Sequence, residues 1–188
     1  MEDLKKPLPY SFSSSQFWDG NDGSWSTFAI RVGTPAQTFR TLPATTGQEI
    51  WVPLPEACPN NLEVDCTKTR GAFNSLFRPN NSSSWKELGI YDLVLNQELN
   101  YSGGGLYGLE KVGLQIANSG GIELDTQVVA GIATTDFYLG IFGLGPKPLN
   151  FSNLDHPVPS LMQALKNHGQ IPSISYGYTA GASYSKCV

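Results

Sequence analysis

The chain of 188 residues has little charge: Asp, Glu, Lys and Arg together make up 15% of it, and the formal net charge is −4. No run of basic residues occurs, so the chain lacks the cationic surface with which proteins neutralise nucleic-acid phosphates. It also has no stretch of about 20 apolar residues, the length that a transmembrane helix needs. We therefore expect no nucleic-acid partner and no membrane span in this chain.

The sequence also lacks the motifs of several common enzyme classes. It has no Gly-x-Ser-x-Gly nucleophile motif, no phosphate loop and no dinucleotide fingerprint. His156 and His168 are its only histidines, and neither has a metal-type spacing with cysteine. We therefore predict no cofactor and no metal site.

Glycine and proline are frequent, with 20 and 13 residues, and many short apolar runs lie between them. This pattern favours an all-β architecture over a helical one. Residues 128–133 are almost continuously apolar, which predicts a strand buried on both faces, and residues 171–178 are also predicted as a strand. Residues 159–168 combine a leading proline with an apolar stripe, and Gly169 follows them, which predicts one short helix.

Three cysteines and several Asn-x-Ser triplets favour an oxidising compartment. Cys58 and Cys66 lie close together in a turn-rich loop and are candidates for a local disulfide, whereas Cys187 is left over near the end. Three free cytosolic thiols are the alternative. The candidate glycosylation sites are Asn80, Asn81, Asn100 and Asn150. Residues 1–10 lack the apolar core of a signal peptide, so either the chain is cytosolic or its leader was removed or omitted. The cysteines and the Asn-x-Ser triplets favour the second alternative, a secreted or cell-surface protein.

The stretch around which the chain is organised alternates β-prone runs with tight turns. Residues 27–32 and 37–42 are β-prone, and a Gly-Thr-Pro turn at 33–35 separates them. Residues 45–47 read Thr-Thr-Gly, a second break, and residues 49–52 are extended again as Glu-Ile-Trp-Val. We therefore predict strand, turn, strand, turn and strand in this order.

These motifs resemble those of the pepsin-like aspartic proteases. In that family a strand, a Gly-Thr-Pro turn and a second strand lead into Asp-Thr-Gly-Ser, and a Trp-Val follows. A later family strand, Asp-Gly-Ile-Leu-Gly-Leu-Gly, packs beneath the active-site loop, and residues 139–145 here read Leu-Gly-Ile-Phe-Gly-Leu-Gly. The resemblance covers roughly Trp25 to Tyr178. It implies a lobe of a bilobal acid-protease β-barrel or sandwich.

The same resemblance implies a domain organisation. Residues 1–10 are expected to be a flexible segment, and residues 11–184 the N-terminal lobe of the pepsin-like fold. Residues 185–188 would then begin a missing second lobe.

The resemblance breaks at the catalytic loop. Without gaps, the family's Asp-Thr-Gly-Ser falls on Ala44, Thr45, Thr46 and Gly47. No Asp lies between Asp22 and Asp65, and no Asp-Thr-Gly or Asp-Ser-Gly occurs in the chain. Aspartic proteolysis needs two carboxylates that share one proton, and alanine supplies none. Four further carboxylates are candidates to face a cleft, and as single groups they are interpreted as solvated surface residues: Glu49, Glu110, Asp125 and Asp136.

A glycine-rich segment resembles the family's flap, a hairpin that folds over the substrate. Tyr101 is the nearest candidate for the flap tyrosine, although an exposed tyrosine in a turn is the alternative interpretation. Gly103, Gly104 and Gly105 predict a mobile hairpin tip instead of a strand interior.

Taken together, these residues predict a catalytically inactive aspartic-protease homologue that binds a peptide, a protein segment or another ligand in its groove. A second lobe is a further partner if the chain is truncated. One alternative is an active acid endopeptidase with an unrecognised or second-chain catalytic pair. Another is a structural surface or cell-wall protein that reuses the β scaffold.

Overall fold

The computed structural model describes residues 7–15, 17–19, 25–58, 65–93, 103–115 and 121–179, and strands dominate this part of the chain. In chain order the strands are β1 (Trp18–Asp19), β2 (Trp25–Ser26), β3 (Phe28–Val32), β4 (Gln37–Ala44), β5 (Ile50–Pro53), β6 (Lys86–Asp92), β7 (Gly104–Leu114), β8 (Glu123–Ile132) and β9 (Gly140–Gly143). The helices are α1 (Cys66–Thr69) and α2 (Leu161–Asn167), with 3-10 turns at Pro55–Ala57 and Pro79–Asn81. The all-β prediction is confirmed, and α1 adds a second short helix to the one expected.

Six strands close into a barrel in the order β3–β4–β9–β5–β8–β7, because β7 pairs back onto β3. The pairs β4–β9 and β5–β8 are parallel, and the other pairs in the ring are antiparallel. β6 pairs with the first half of β7 and lies outside the ring. Because the ring is closed, each of its six strands has a paired neighbour on both sides. In the described part of the barrel, the free edge of the sheet is therefore the outer edge of β6.

The apolar core fills the barrel and explains which strands are buried. The side chains of Ile30, Phe39 and Val52 are 0% exposed. Residues 128–132 are buried on both faces as predicted, because β8 lies between β5 and β7. Ala133 is exposed, since it follows the last paired residue of β8, and its predicted burial is therefore wrong.

Local capping signals set the bounds of α2. The Ser160 hydroxyl accepts a hydrogen bond from the Gln163 backbone N–H, and the Gln163 side chain accepts one from the Ser160 N–H. Gly169 lies just beyond the end of the helix at φ +68°, where a glycine is favoured. The apolar stripe of α2 is buried and comprises Leu161, Met162 and Leu165. No helix in the described ranges is both long and apolar enough to cross a membrane.

The predicted local disulfide is confirmed. Cys58 and Cys66 are bonded, with their Cα atoms 5.8 Å apart, a separation normal for this bond. Cys66 is the first residue of α1, and the Asp65 side chain caps that helix by accepting from the Lys68 N–H at 3.4 Å. Cys187 lies outside the described residues.

The expected strand over residues 171–178 is wrong, because this segment finds no strand to pair with in the described barrel. It lies instead beside α2 and the segment before β1. Ile171 and Tyr178 line an apolar cavity of about 510 Å³ there, together with Phe12 and Leu161. The Tyr178 hydroxyl and the Ser26 hydroxyl are 2.7 Å apart, which ties the segment to β2.

Candidate functional site

A loop between two strands is the centre of the candidate site. β4 ends at Ala44, which pairs with Gly143 of β9, and residues 44–47 form what we call the Ala44 loop. A Cβ atom at Gly143 would lie 2.5 Å from the Gly47 carbonyl oxygen, and the Gly145 N–H donates to that same oxygen at 2.8 Å. The glycines of residues 139–145 therefore let β9 support the loop at backbone distance, as the family resemblance implies.

The Ala44 loop has no acid–base group. Ala44 is partly buried, and Thr45 and Thr46 are exposed. A Cβ atom at Gly47 would have no neighbour within 4 Å, so this position opens onto free space. Because a threonine hydroxyl does not ionise usefully at acid pH, the loop offers hydrogen bonds and shape without a titratable proton.

Glu49 is the carboxylate that comes directly after the Ala44 loop, and its interpretation as a solvated surface group is wrong. It is only 5% exposed. Its Oε2 atom accepts hydrogen bonds from Trp51 Nε1 at 2.8 Å and from the Tyr107 hydroxyl at 2.7 Å. The signal available in the sequence was the spacing of two residues between Glu49 and Trp51, which places both on one face of an extended chain.

Burial dominates the electrostatics of this group. It raises the pKa of the Glu49 carboxyl, while the hydrogen bonds from Trp51 and Tyr107 partly oppose the rise. Burial and the neighbouring Glu49 charge also raise the pKa of the Tyr107 hydroxyl well above its ordinary range. Tyr107 is therefore a neutral donor at any physiological pH.

Glu49 lines a cavity of about 500 Å³, which we call the Glu49 cavity. Its other lining residues come from the loop, from β6 and β7, and from the segment after β9: Gln48, Tyr91, Asp92, Tyr107, Pro148, Leu149, Asn150 and Phe151. Three of them form an aromatic cluster, in which the Tyr91 ring lies 5.7 Å from that of Tyr107 and 5.1 Å from that of Phe151. The cavity therefore combines acidic residues with an aromatic cluster.

The β6–β7 hairpin supplies part of that cavity. Gly104 pairs with Asp92, and Gly105 pairs with Tyr91, so both glycines are strand residues and their prediction as a mobile tip is wrong. The physical reason is close packing, since a Cβ atom at Gly105 would lie 2.8 Å from Cδ2 of Leu93. The Gly103 carbonyl accepts from the Leu93 N–H at 2.7 Å, just before β7 begins. Tyr101 lies outside the described residues.

A second buried carboxylate, Glu110, does not join the site. It is 0% exposed, so its interpretation as a solvated group is also wrong. It follows Tyr107 by three positions along β7 and therefore points to the opposite face of the sheet. Its Oε1 atom accepts from the Lys111 N–H at 2.7 Å, and its partner across the sheet is Gln127. Asp125 and Asp136 are exposed, as expected.

The family model of the eukaryotic aspartyl protease matches residues 27–184, a range that contains the Ala44 loop, the β6–β7 hairpin and the whole Glu49 cavity. The chain belongs to the eukaryotic aspartyl protease family. A comparison with curated proteins found no significant match.

In this aspartyl protease family member, the carboxylates nearest the Ala44 loop are not paired with one another. Two of them, Glu49 and Asp92, line the Glu49 cavity, but no hydrogen bond joins them in the described structure. The Tyr107 hydroxyl bonds Glu49 Oε2 at 2.7 Å and lies 3.4 Å from the Asp92 backbone oxygen. Among the described residues, no group of three His, Cys, Asp or Glu side chains is placed to hold a metal ion.

The sequons fall on different parts of the surface. Asn80 and Asn81 belong to the 3-10 turn Pro79–Asn81 and are exposed. Asn150 is exposed too, and it lines the mouth of the Glu49 cavity. Asn100 lies outside the described residues. The three described asparagines are therefore open to a modifying enzyme.

Proposed function

We propose that this chain is a catalytically inactive aspartyl protease family member that binds an extended peptide in a groove along the Ala44 loop and the β6–β7 hairpin. The observation that carries the proposal is the position of Ala44. It ends β4 beside Gly143 of the paired strand β9, where the family resemblance expects a catalytic aspartate. The lobe that binds the peptide comprises residues 11–184.

Catalysis by the remaining carboxylates is disfavoured by their geometry. An aspartic protease pair shares one proton between two carboxyl groups in direct contact, so that one ionises at low pH and the other does not. Glu49 Oε2 instead accepts hydrogen bonds from Trp51 and Tyr107. Asp92 is exposed and makes no carboxyl–carboxyl bond to Glu49. An active acid endopeptidase that uses these two groups is therefore the less favoured candidate.

The free edge of β6 supports strand addition as the binding mode. Among the described strands β6 pairs only with β7, and Ile90 near its end is 79% exposed. An extended peptide gains affinity from backbone hydrogen bonds at such an edge, and it gains specificity from pockets for alternate side chains. The Glu49 cavity, which Tyr91 and Asp92 of β6 help to line, would be such a pocket.

Blocking the groove tests this function. A library of fluorescent extended decapeptides is titrated against the wild-type chain and against a Gly47→Trp variant, whose added side chain has free space to occupy the groove. Thr126→Trp, at an exposed position of β8, is the matched control. We expect binding by the wild type and the control, and a loss of at least about tenfold in affinity for Gly47→Trp. Equal binding by all three proteins, or no binding of any peptide, would overturn the groove and favour a structural surface role.

A secreted or cell-surface location fits the Cys58–Cys66 bond and the exposed sequons, because disulfides persist in oxidising compartments. Glycans on Asn80 or Asn81 are part of this proposal, whereas Asn150 lines the Glu49 cavity and is expected to stay unmodified when a peptide binds there. Enzymatic deglycosylation of the protein from its natural source would lower its mass in steps of one glycan. An unchanged mass would contradict the modification.

A further inference from the structure

One oxygen of a buried carboxylate has no partner in the described structure. Both hydrogen bonds to Glu49 converge on Oε2, and Oε1 accepts none from the described residues, although the residue is only 5% exposed. A buried anion is unfavourable unless its charge is compensated. Since Glu49 lines the cavity, Oε1 is the atom left to meet an occupant.

We infer that the Glu49 cavity binds the cationic end of a lysine or arginine side chain. This inference rests on the proposed peptide groove and names the kind of residue that the groove selects. An ammonium or guanidinium group carries several N–H donors and no acceptor, which matches the free acceptor on Glu49. The pair would form a charge-assisted hydrogen bond.

The composition of the cavity walls favours a cation over an anion or a neutral apolar group. Among the described residues that line the cavity there is no Lys, Arg or His, and the second charged residue is Asp92, another acid. The side-chain amide of Gln48 has both an acceptor oxygen and N–H donors, so it suits a cation without selecting one. Tyr91, Tyr107 and Phe151 provide aromatic surface for the methylene stem of a long basic side chain.

The position of the cavity explains how a peptide would reach it. Gln48 and Glu49 follow directly after Gly47, and Tyr91 and Asp92 lie at the end of β6. A peptide extended between the Ala44 loop and the hairpin passes over this opening. Because alternate side chains of an extended peptide point to the same side, one basic residue enters the cavity while its two neighbours point away.

Binding should depend on pH in a defined direction. Among the described residues, the titratable groups that line the cavity with Glu49 are Tyr91, Asp92 and Tyr107. Burial raises the pKa of Glu49, and lysine and arginine stay charged throughout the acid range. Affinity therefore falls as the pH falls through the raised pKa of Glu49, since the carboxyl becomes neutral. Measuring the same pH dependence with an Asp92→Asn variant separates the contribution of the exposed Asp92 carboxylate to affinity from that of Glu49.

The experiment compares matched peptides and matched variants. Fluorescent decapeptides of Ala and Val carry one Arg, Lys, citrulline or norleucine at each position in turn, and n-butylguanidinium is the small-molecule arm. The proteins are the wild type, Glu49→Gln, and Glu56→Gln as a control, since Glu56 is exposed and lies outside the cavity. Circular dichroism checks that each variant folds. In Glu49→Gln, the side-chain oxygen of the glutamine can still accept a hydrogen bond from Trp51 or Tyr107.

We expect Arg and Lys peptides to bind the wild type and Glu56→Gln at least about tenfold more tightly than citrulline and norleucine peptides. This preference should disappear in Glu49→Gln. If that variant does not fold, the wild-type pH profile decides, because a preference that persists below the Glu49 pKa overturns the inference.

Other outcomes distinguish the proposed cation site from the proposed peptide groove. Peptide binding without a basic preference, or with a preference unchanged in Glu49→Gln, overturns the cation site and leaves the groove standing. Glu49-dependent binding of n-butylguanidinium without any peptide binding supports the cation site and overturns the groove. Failure of every ligand to bind overturns both.

Discussion

Replacing Gly143 by alanine should destabilise the fold, because β9 supports the Ala44 loop at backbone distance. A Cβ atom there would lie 2.5 Å from the Gly47 oxygen, 2.6 Å from the Gln48 carbonyl carbon and 2.7 Å from the Glu49 nitrogen. Favourable contact between nonbonded heavy atoms begins near about 3.5 Å, so the methyl group is roughly 1 Å too close to three backbone atoms. None of them can move away by changing a side-chain rotamer, so the strands must separate.

Overpacking of this kind destabilises a protein by about 1–3 kcal/mol. For a chain of this size, a loss of about 2 kcal/mol lowers the Tm by about 4–8 °C. Thermal denaturation followed by circular dichroism measures the difference between wild type and Gly143→Ala. Gly47→Ala is the matched control, because its added methyl group has no neighbour within 4 Å. If Gly143→Ala melted at the same temperature as this control, the close support of the loop by β9 would be refuted.

The remaining predictions concern the catalytic loop, a buried acid and the disulfide. Ala44→Asp alone should give no cleavage of a denatured protein at acid pH, because the second carboxylate of a proton-sharing pair is still missing, and robust activity in that variant would contradict this account. Glu49 binds its proton more tightly in the folded chain than in the unfolded chain, so wild-type stability should fall as the pH rises from about 4.5 through the raised pKa. Urea denaturation across this pH range should show no such fall in stability for Glu49→Gln. If the stability of the wild type and of Glu49→Gln changed equally with pH, the account of a buried Glu49 carboxyl would be refuted. The Cys58→Ser, Cys66→Ser double variant should lose about 2–3 kcal/mol of unfolding free energy, the expectation for a short cross-linked loop, and an unchanged urea midpoint would show that the bond does not constrain the chain.

Much of the scaffold could be predicted from the sequence because its signals are local. The glycine-proline turn after residues 27–32 marks the break between β3 and β4. The helix at 159–168 carries its own capping residues, and Gly169 ends it. The Cys58–Cys66 pair lies within one loop. Each of these features depends on residues a few positions apart.

The missed features depend on residues far apart in the chain. Glu49 looked like a surface acid, yet Tyr107, 58 positions away, donates to it and helps to bury it. Gly105 looked like a mobile tip, yet the side chain of Leu93 fills the space beside it. Residues 171–178 looked like a strand, but no partner strand meets them in the described fold. Sequence patterns report propensity, and tertiary partners decide burial and pairing.

The measurement that tests the central claim most directly is cleavage of a denatured protein by the wild-type chain at about pH 3–5, with and without pepstatin. The protein should be prepared from its natural source, so that any further part of the chain is present. We predict no cleavage from a folded sample, because Ala44 stands where the catalytic aspartate is expected. Pepstatin-sensitive cleavage would contradict this account and would show that another carboxylate pair performs the chemistry.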